Sequence, residues 1–306
     1  MGNDSRLVKD QHQKNIVKLF SRFDGSKNRR KVFEDFVTAS AIAISNSCDE
    51  THVEEREEHY LQIVKQYKPA ELETFGEMLA EIVMGMEDNP DQDFLGEMYM
   101  ALEFGSSSAG QFFTPYSVSR CLAGIQSDWN FLNSRIAANG FIAVSDPACG
   151  AGALLVAFAN ACRSCGLNYQ QTVLFVAQDL DYTVGMMCYI ALSLLGCAGY
   201  VVIGDTLIDP STSYDSKGLL PRDNGRVWYT PMFCSPIWQG RRLAAQLDLL
   251  LSNGRKPTGI ERKPVETPKM TLQRAETKAK PITPVVISPE PETQFNVMET
   301  GQLSFF

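Results

Sequence analysis

The sequence holds only three histidines, His12, His52 and His59, all near the N-terminus. That scarcity argues against His-centred triads and against the His-Cys-Cys zinc site of the deaminases. Nowhere do roughly eighteen apolar residues follow one another, so no membrane span is expected. The opening MGNDSRLVKDQHQK lacks the apolar stretch of a secretion signal, and a cytoplasmic location is expected. The 8 cysteines are then expected to be reduced thiols. Cys162-x-x-Cys165 has no second pair at zinc-site spacing, and it falls on a helical pattern, so both are expected to be small buried hydrophobes. No aromatic lies between Trp238 and Phe295, and seven of the 15 prolines follow residue 240.

Charge is uneven. Residues 1–100 carry 12 basic and 20 acidic side chains, residues 101–240 carry 6 and 9, and residues 241–306 carry 10 and 7. An acidic body with a basic tail is not the footprint of a strong stand-alone nucleic-acid binder.

Three regions follow. Residues 1–104 read as a helical N-terminal region. Ile16, Leu19, Phe20 and Phe23, then Val32, Phe33 and Phe36, then Leu79, Ile82, Val83 and Met86 recur at helical spacing. Glu54–Glu58 reads as a solvated helix face. In residues 105–240, short β-prone runs (Phe141–Ser145, Val173–Gln178, Gly199–Ile203, Met232–Cys234) alternate with helical stripes such as Leu155, Phe158, Ala159 and Cys162. Strand alternating with helix predicts an α/β, Rossmann-like parallel sheet. Residues 241–306 read as a disordered tail with one short helix, Leu243–Leu251, and a weak β candidate at Val285–Ser288.

The first strand runs into Asp146-Pro147-Ala148-Cys149-Gly150-Ala151-Gly152. A glycine turn between strand and helix lets a ligand approach the backbone. The dinucleotide fingerprint fails, because its third glycine falls on Leu155. An acidic residue opening the turn repels pyrophosphate and suits a cationic, amino-acid-like ligand. Asp179, ending the second strand, is placed to accept ribose hydroxyls; Asp181 reads as a helix cap. Asp205, ending the third, is placed to accept an adenine amino group.

Asp146–Gly152 resembles the first S-adenosylmethionine motif of the N6-adenine DNA methyltransferases, above all the modification subunits of type I restriction systems. Gly110-Gln-Phe-Phe-Thr-Pro115 resembles that family's segment over the cofactor's methionine end, and Asp93-Phe-Leu-Gly-Glu-Met-Tyr99 the helix leading into it. The resemblance covers about residues 90–240. It implies S-adenosyl-L-methionine as cofactor, held by Phe113, Thr114, Pro115, Asp146, Pro147, Gly150, Gly152, Asp179 and Asp205, and DNA as partner.

The family's catalytic motif is Asn, Asp or Ser, then Pro-Pro, then an aromatic residue. Two acceptors pull the N–H groups of the base, and the ring stacks on the flipped base. This chain has Ser235-Pro236-Ile237-Trp238. The resemblance assigns Ser235, Pro236 and Trp238 those roles, while Ile237 removes the rigidity of the second proline. The family's sheet continues with three more strands, yet only 68 residues follow Trp238. Two functions are therefore expected: methyl transfer to adenine N6 in DNA, or a catalytically weak, cofactor-binding regulatory or partner subunit, with a specificity or completing subunit beside it. The ending Gln302-Leu303-Ser304-Phe305-Phe306 resembles the peptide that docks on the bacterial β sliding clamp, with Gln302, Leu303, Phe305 and Phe306 as anchors.

Overall fold

The computed structural model describes residues 8–102, 104, 113–126, 128–212, 215, 217–222, 224–253 and 302–304. The chain divides into two units, one of residues 1–246 with 297–306, the other of residues 247–296.

The first unit opens with helices α1 (Gln11–Leu19), α2 (Arg29–Asn46), α3 (Val53–Val64), α4 (Pro69–Asp88) and α5 (Phe94–Ala101). The starts of α1, α2, α4 and α5 are written in the sequence as side chains that satisfy otherwise unpaired amides. Asp10 accepts from His12 and Gln13, Asn28 from Arg30 and Lys31, and Asp93 from Gly96. Glu71 reaches back to the Lys68 amide ahead of Pro69. Ile16, Phe20, Val32, Phe33, Phe36 and Ile82 form the buried stripe; Val83 departs from it, 40% exposed.

Helices α6 (Tyr116–Gln126) and α7 (Trp129–Asn139) lead into β1 (Ile142–Asp146). There follow α8 (Ala153–Ser164), α9 (Tyr169–Thr172), β2 (Val173–Asp179), α10 (Tyr182–Leu194), β3 (Ala198–Ile203), β4 (Val227–Tyr229) and α11 (Pro236–Asn253), and the chain returns in β5 (Gln302–Ser304). The sheet order is β4-β3-β2-β1-β5. β1, β2 and β3 are parallel neighbours, with Ile142 opposite Val173 and Leu174 opposite Ala198. These strands are buried on both faces, as parallel strands under helical crossovers must be. The fold is α/β and Rossmann-like. α10 packs on α2, and Phe33, Phe36, Cys188 and Ile190 share one core cluster.

The structure corrects several expectations. The fourth strand is not Met232–Cys234, which lies in turns, but Val227–Tyr229, antiparallel to β3. Pro231 has no N–H to give to a ladder, and a side chain from α3 holds the earlier segment instead. Arg56 donates through Nη2 to the Val227 carbonyl (2.8 Å) and through Nη1 to Asp49 (2.7 Å), its guanidinium 4.1 Å over the Trp228 ring. Glu54–Glu58 is thus not wholly a solvated face: Arg56 in its middle is 5% exposed. Cys162 is buried but Cys165 is exposed. The late helix is longer than Leu243–Leu251, beginning at Pro236.

Gln302–Ser304, expected as a free docking anchor, is a strand parallel to β1, with Ala143 opposite Gln302 and Ser145 opposite Ser304. While paired it is not a displayed linear motif, because its backbone is used by the sheet. Phe305, Phe306, Val285–Ser288 and the rest of the expected disordered stretch lie outside the described residues. No helix among the described residues is long and apolar enough to cross a membrane.

Candidate cofactor site

The site is built where β1, β2 and β3 end. After Asp146 the chain turns through Gly150 (φ 55°) and Gly152 (φ 92°). Both are left-handed conformations that favour glycine. At Gly152 a side chain is also excluded by space, since a Cβ would lie 2.9 Å from Cys188 Sγ. Asp179 knits the turn to β2. Its Oδ2 accepts from the Gly150 amide (2.8 Å) and its Oδ1 from the Asp181 amide (2.9 Å). Its carbonyl accepts from Gly204 (2.9 Å), after β3. The Thr206 hydroxyl donates to the Pro147 carbonyl. Gln178 holds the following loop, donating to the Asp209 carbonyl (2.9 Å) and accepting from the Ser211 amide (2.8 Å).

The segment ahead of α6 closes on the same turn. A Cβ at Gly150 would meet Phe113 Cδ1 at 3.8 Å, and Phe113 stacks on Tyr99 at 5.8 Å with planes 15° apart. Phe113 and the glycine turn, separate motifs in the sequence, are therefore brought together. Thr114 and Pro115 are exposed. With Phe113 and Tyr116 they line a cavity of about 620 Å³ that also takes in Asp93, Glu97 and Arg120.

Asp146 is 1% exposed. Its Oδ1 accepts from the Ala148 amide at 3.2 Å, while its Oδ2 is buried with no partner. Burial first, then the negative charge of Asp179, pushes this carboxyl up to about 6, against the pull of the Ala148 amide. An ammonium group supplied by a ligand is the natural partner for that oxygen. Asp205 Oδ1 accepts from the Leu207 amide (2.8 Å), holding a turn whose Leu207 and Ile208 are 94% and 82% exposed; Leu180, after β2, is 73% exposed. Apolar side chains left in water at the carboxyl ends of a sheet give a flat ring something to lie on. The residues present thus fit S-adenosylmethionine: an acid for its ammonium, Asp179 with a free lone pair on each oxygen for its ribose, and an apolar rim for its adenine. Sequence reasoning missed Gln178, Thr206 and the exposed leucines. Gln178 alone carried a signal, as an amide ending an apolar strand.

The expected catalytic residues lie elsewhere. Trp238 is 0% exposed. Its ring packs edge-on against Phe141 (5.6 Å) and tilted against Phe233 (6.2 Å), under the Arg241 guanidinium at 4.4 Å. Its Nε1 donates to the Gln170 carbonyl (2.9 Å), and Arg241 donates to the Gly140 and Gln171 carbonyls. Phe141 and Gly140 precede β1, and Gln170 and Gln171 precede β2. The start of α11 is therefore fixed at the amino ends of the parallel strands. At about 3.3 Å per residue, Phe141 and Asp146 stand about 16 Å apart along β1. The Trp238 ring thus packs on Phe141, at the end of β1 opposite the glycine turn.

Ser235 and Pro236 share that displacement. The Ser235 carbonyl accepts the first helical bonds of α11, from Trp238 (3.1 Å) and Gln239 (2.9 Å). Pro236 is the first helical residue, where its missing N–H costs nothing. Its carbonyl is directed along the helix axis and not toward a base. Ser235 Oγ is buried without a partner.

Among solved structures the chain is similar to a protein described as a class I S-adenosylmethionine-dependent methyltransferase from Listeria monocytogenes, 16% identical over 63% of this chain and 55% of that one, TM-score 0.30. It is also similar to the methyltransferase subunit of a type I restriction-modification system from Streptococcus thermophilus, 16% identical over 67% and 59%, TM-score 0.29. The chain thus spans 55% and 59% of those two proteins. No curated protein matches it. The family model for N-6 DNA methylases matches residues 90–243, half of the chain and the half that carries the glycine turn, Asp179, Asp205 and Phe113: the chain belongs to the N-6 DNA methylase family.

Proposed function

We propose that the chain binds S-adenosyl-L-methionine at the carboxyl ends of β1, β2 and β3 and serves methyl transfer to adenine N6 in DNA, as the cofactor-binding partner subunit of that reaction. The observation that carries this reading is the buried, unpaired Oδ2 of Asp146 beside a glycine turn held by Asp179. Bound there, the cofactor supplies an electrophilic methyl group. The chain's own part is to hold and orient it: Asp146 takes the ammonium, Asp179 the ribose, Asp205 the adenine amino group, and Phe113 closes over the methionine end beside Thr114 and Pro115.

The placement of Ser235, Pro236 and Trp238 at the other end of the strands favours the partner-subunit reading over a self-sufficient enzyme. An adenine amino nitrogen needs two acceptors to become nucleophilic, and these residues face away from the cofactor. A completing or specificity subunit then presents the DNA, which suits a chain of net charge −8. The test is transfer of labelled methyl to adenine-containing DNA by the chain alone. Cofactor binding without transfer is expected. Transfer that Ser235→Ala or Trp238→Phe stops, with cofactor affinity intact, establishes the self-sufficient enzyme instead.

A pH dependence follows from Asp146. Its folded-state carboxyl titrates near 6, above the ordinary 3.8. The folded chain therefore holds this proton more tightly between about pH 4 and 6, and the group's contribution to stability falls as pH rises through that window, by about 3 kcal/mol in all. Binding an ammonium ligand reverses the preference by stabilising the ionised acid. Affinity for S-adenosylmethionine is expected to rise from pH 5 to pH 7, with proton release during calorimetric titration near pH 6. Asp146→Asn should bind weakly and flatten that pH dependence; an unchanged profile in the variant removes the ammonium assignment.

A further inference from the structure

The loop of residues 89–93, between α4 and α5, is held from several sides. Gln92 donates through Nε2 to the Gly85 and Asn89 carbonyls (2.8 Å each), and the Asp91 amide donates to Asn89 Oδ1 (3.2 Å). Asn160, on α8, donates through Nδ2 to the Pro90 carbonyl (2.8 Å). In this fixed loop Asp91 faces α6. The Tyr116 hydroxyl donates to its Oδ1 (2.7 Å), and Arg120 Nε lies 3.4 Å from its Oδ2. Tyr116 and Arg120 stand four residues apart and so share one face of α6. Tyr116 is buried. Burial first, then the hydrogen bond to Asp91, pushes its phenol well above the ordinary range, so it remains a donor.

We propose, resting on the cofactor reading above, that Asp91 is a positioning residue: through the Tyr116 hydroxyl it sets residues 113–115 over the methionine end of S-adenosylmethionine. Tyr116 is the first residue of α6, and the Pro115 carbonyl is bound into that helix by the Val118 and Ser119 amides (2.8 and 3.2 Å). A shift of Tyr116 is therefore carried directly into Pro115, Thr114 and Phe113. Two anchors fix this short segment. One is the Phe113 ring stacked on Tyr99 of α5; the other is the Tyr116 hydroxyl on Asp91, just ahead of α5. Both lie on one stretch of chain, so the segment is seated against α5. The same four residues, 113–116, line the cavity of about 620 Å³. A hydroxyl on a carboxylate makes a short, charge-assisted bond. Without it, the segment keeps the ring contact alone. Asp179 and Asp205, which the reading gives to the ribose and adenine, make no hydrogen bond to Asp91 among the described residues. Loss of the Asp91 anchor is thus felt at one end of the ligand only.

The test titrates the full chain calorimetrically with two ligands, S-adenosylmethionine and 5′-methylthioadenosine, which keeps the nucleoside and lacks the amino-acid end. Asp91→Ala should bind S-adenosylmethionine about tenfold more weakly than wild type and methylthioadenosine equally well. Asp91→Asn, which keeps an acceptor for the hydroxyl, should recover much of the loss. Tyr116→Phe, which removes one oxygen and leaves the ring, should lower S-adenosylmethionine affinity in the same selective way. Adding Asp91→Ala to it should cost less than Asp91→Ala costs alone, since both changes break one bond. Circular dichroism shows which chains are folded; if Asp91→Ala is not, Tyr116→Phe carries the comparison. Equal losses for the two ligands, fully additive losses, or wild-type affinity in folded Asp91→Ala and Tyr116→Phe overturn the proposal and leave the cofactor reading standing. Folded wild type that binds neither ligand removes that reading, and this role with it.

Discussion

Trp238→Ala is expected to cost about 3–5 kcal/mol of stability, the range for deleting a large buried aromatic side chain, and to leave the cofactor affinity of the remaining folded chain within twofold of wild type. The indole is fully enclosed between Phe141 and Phe233. It also satisfies the Gln170 carbonyl, which loses that donor in the variant. Urea denaturation measures the first effect, and calorimetric titration with S-adenosylmethionine well below the midpoint measures the second. A ring that served as a stacking platform for a base would give the reverse: stability unchanged, DNA binding lost. Trp238→Phe should recover most of the lost stability, since it refills the volume and forgoes only the Nε1 bond. If Trp238→Ala melts with wild type, the placement of α11 at the amino ends of the sheet is wrong.

The contrast between β1 and Trp238 shows what a sequence can disclose. β1, β2 and β3 were legible as Phe141–Ser145, Val173–Gln178 and Gly199–Ile203 because a parallel strand covered on both faces must be a continuous apolar run. The observed strands, Ile142–Asp146, Val173–Asp179 and Ala198–Ile203, differ by a residue at their ends. The glycine turn was legible for the same local reason: positive φ at Gly150 and Gly152 is a demand on single residues. Trp238 was different. The sequence shows that a large ring follows Ser235 and Pro236, but which way the ring faces is decided by Gln170 and Phe141, remote in sequence. The fourth strand was lost similarly, because Val227–Tyr229 is held by a guanidinium from α3. The β5 pairing uses three residues separated from β1 by more than a hundred positions, and no local pattern announces such a partner. At the proposed site, Asp146, Asp179 and Asp205 were each singled out from their position at a strand end. The use of both Asp179 oxygens to lock the turn was visible only in three dimensions.

The largest effect on binding is expected at Asp179. The carboxylate carries two backbone hydrogen bonds that shape the turn, and its remaining lone pairs are the acceptors that the proposed reading gives to the ribose. Hydrogen bonds to a charged group contribute about 1.5–3 kcal/mol each, so losing two of them should weaken binding by a hundredfold or more. Asp179→Asn keeps the shape and one acceptor oxygen. It should bind more tightly than Asp179→Ala and more weakly than wild type. Stability should fall less in either variant than in Trp238→Ala, because Asp179 is only partly buried and opens toward solvent.

Calorimetric titration of S-adenosylmethionine into wild type and Asp179→Ala, both shown to be folded, tests the central claim most directly. Saturable one-site binding by wild type, weakened at least a hundredfold in Asp179→Ala, is the predicted result; equal affinity in the two chains, or no binding by folded wild type, contradicts it.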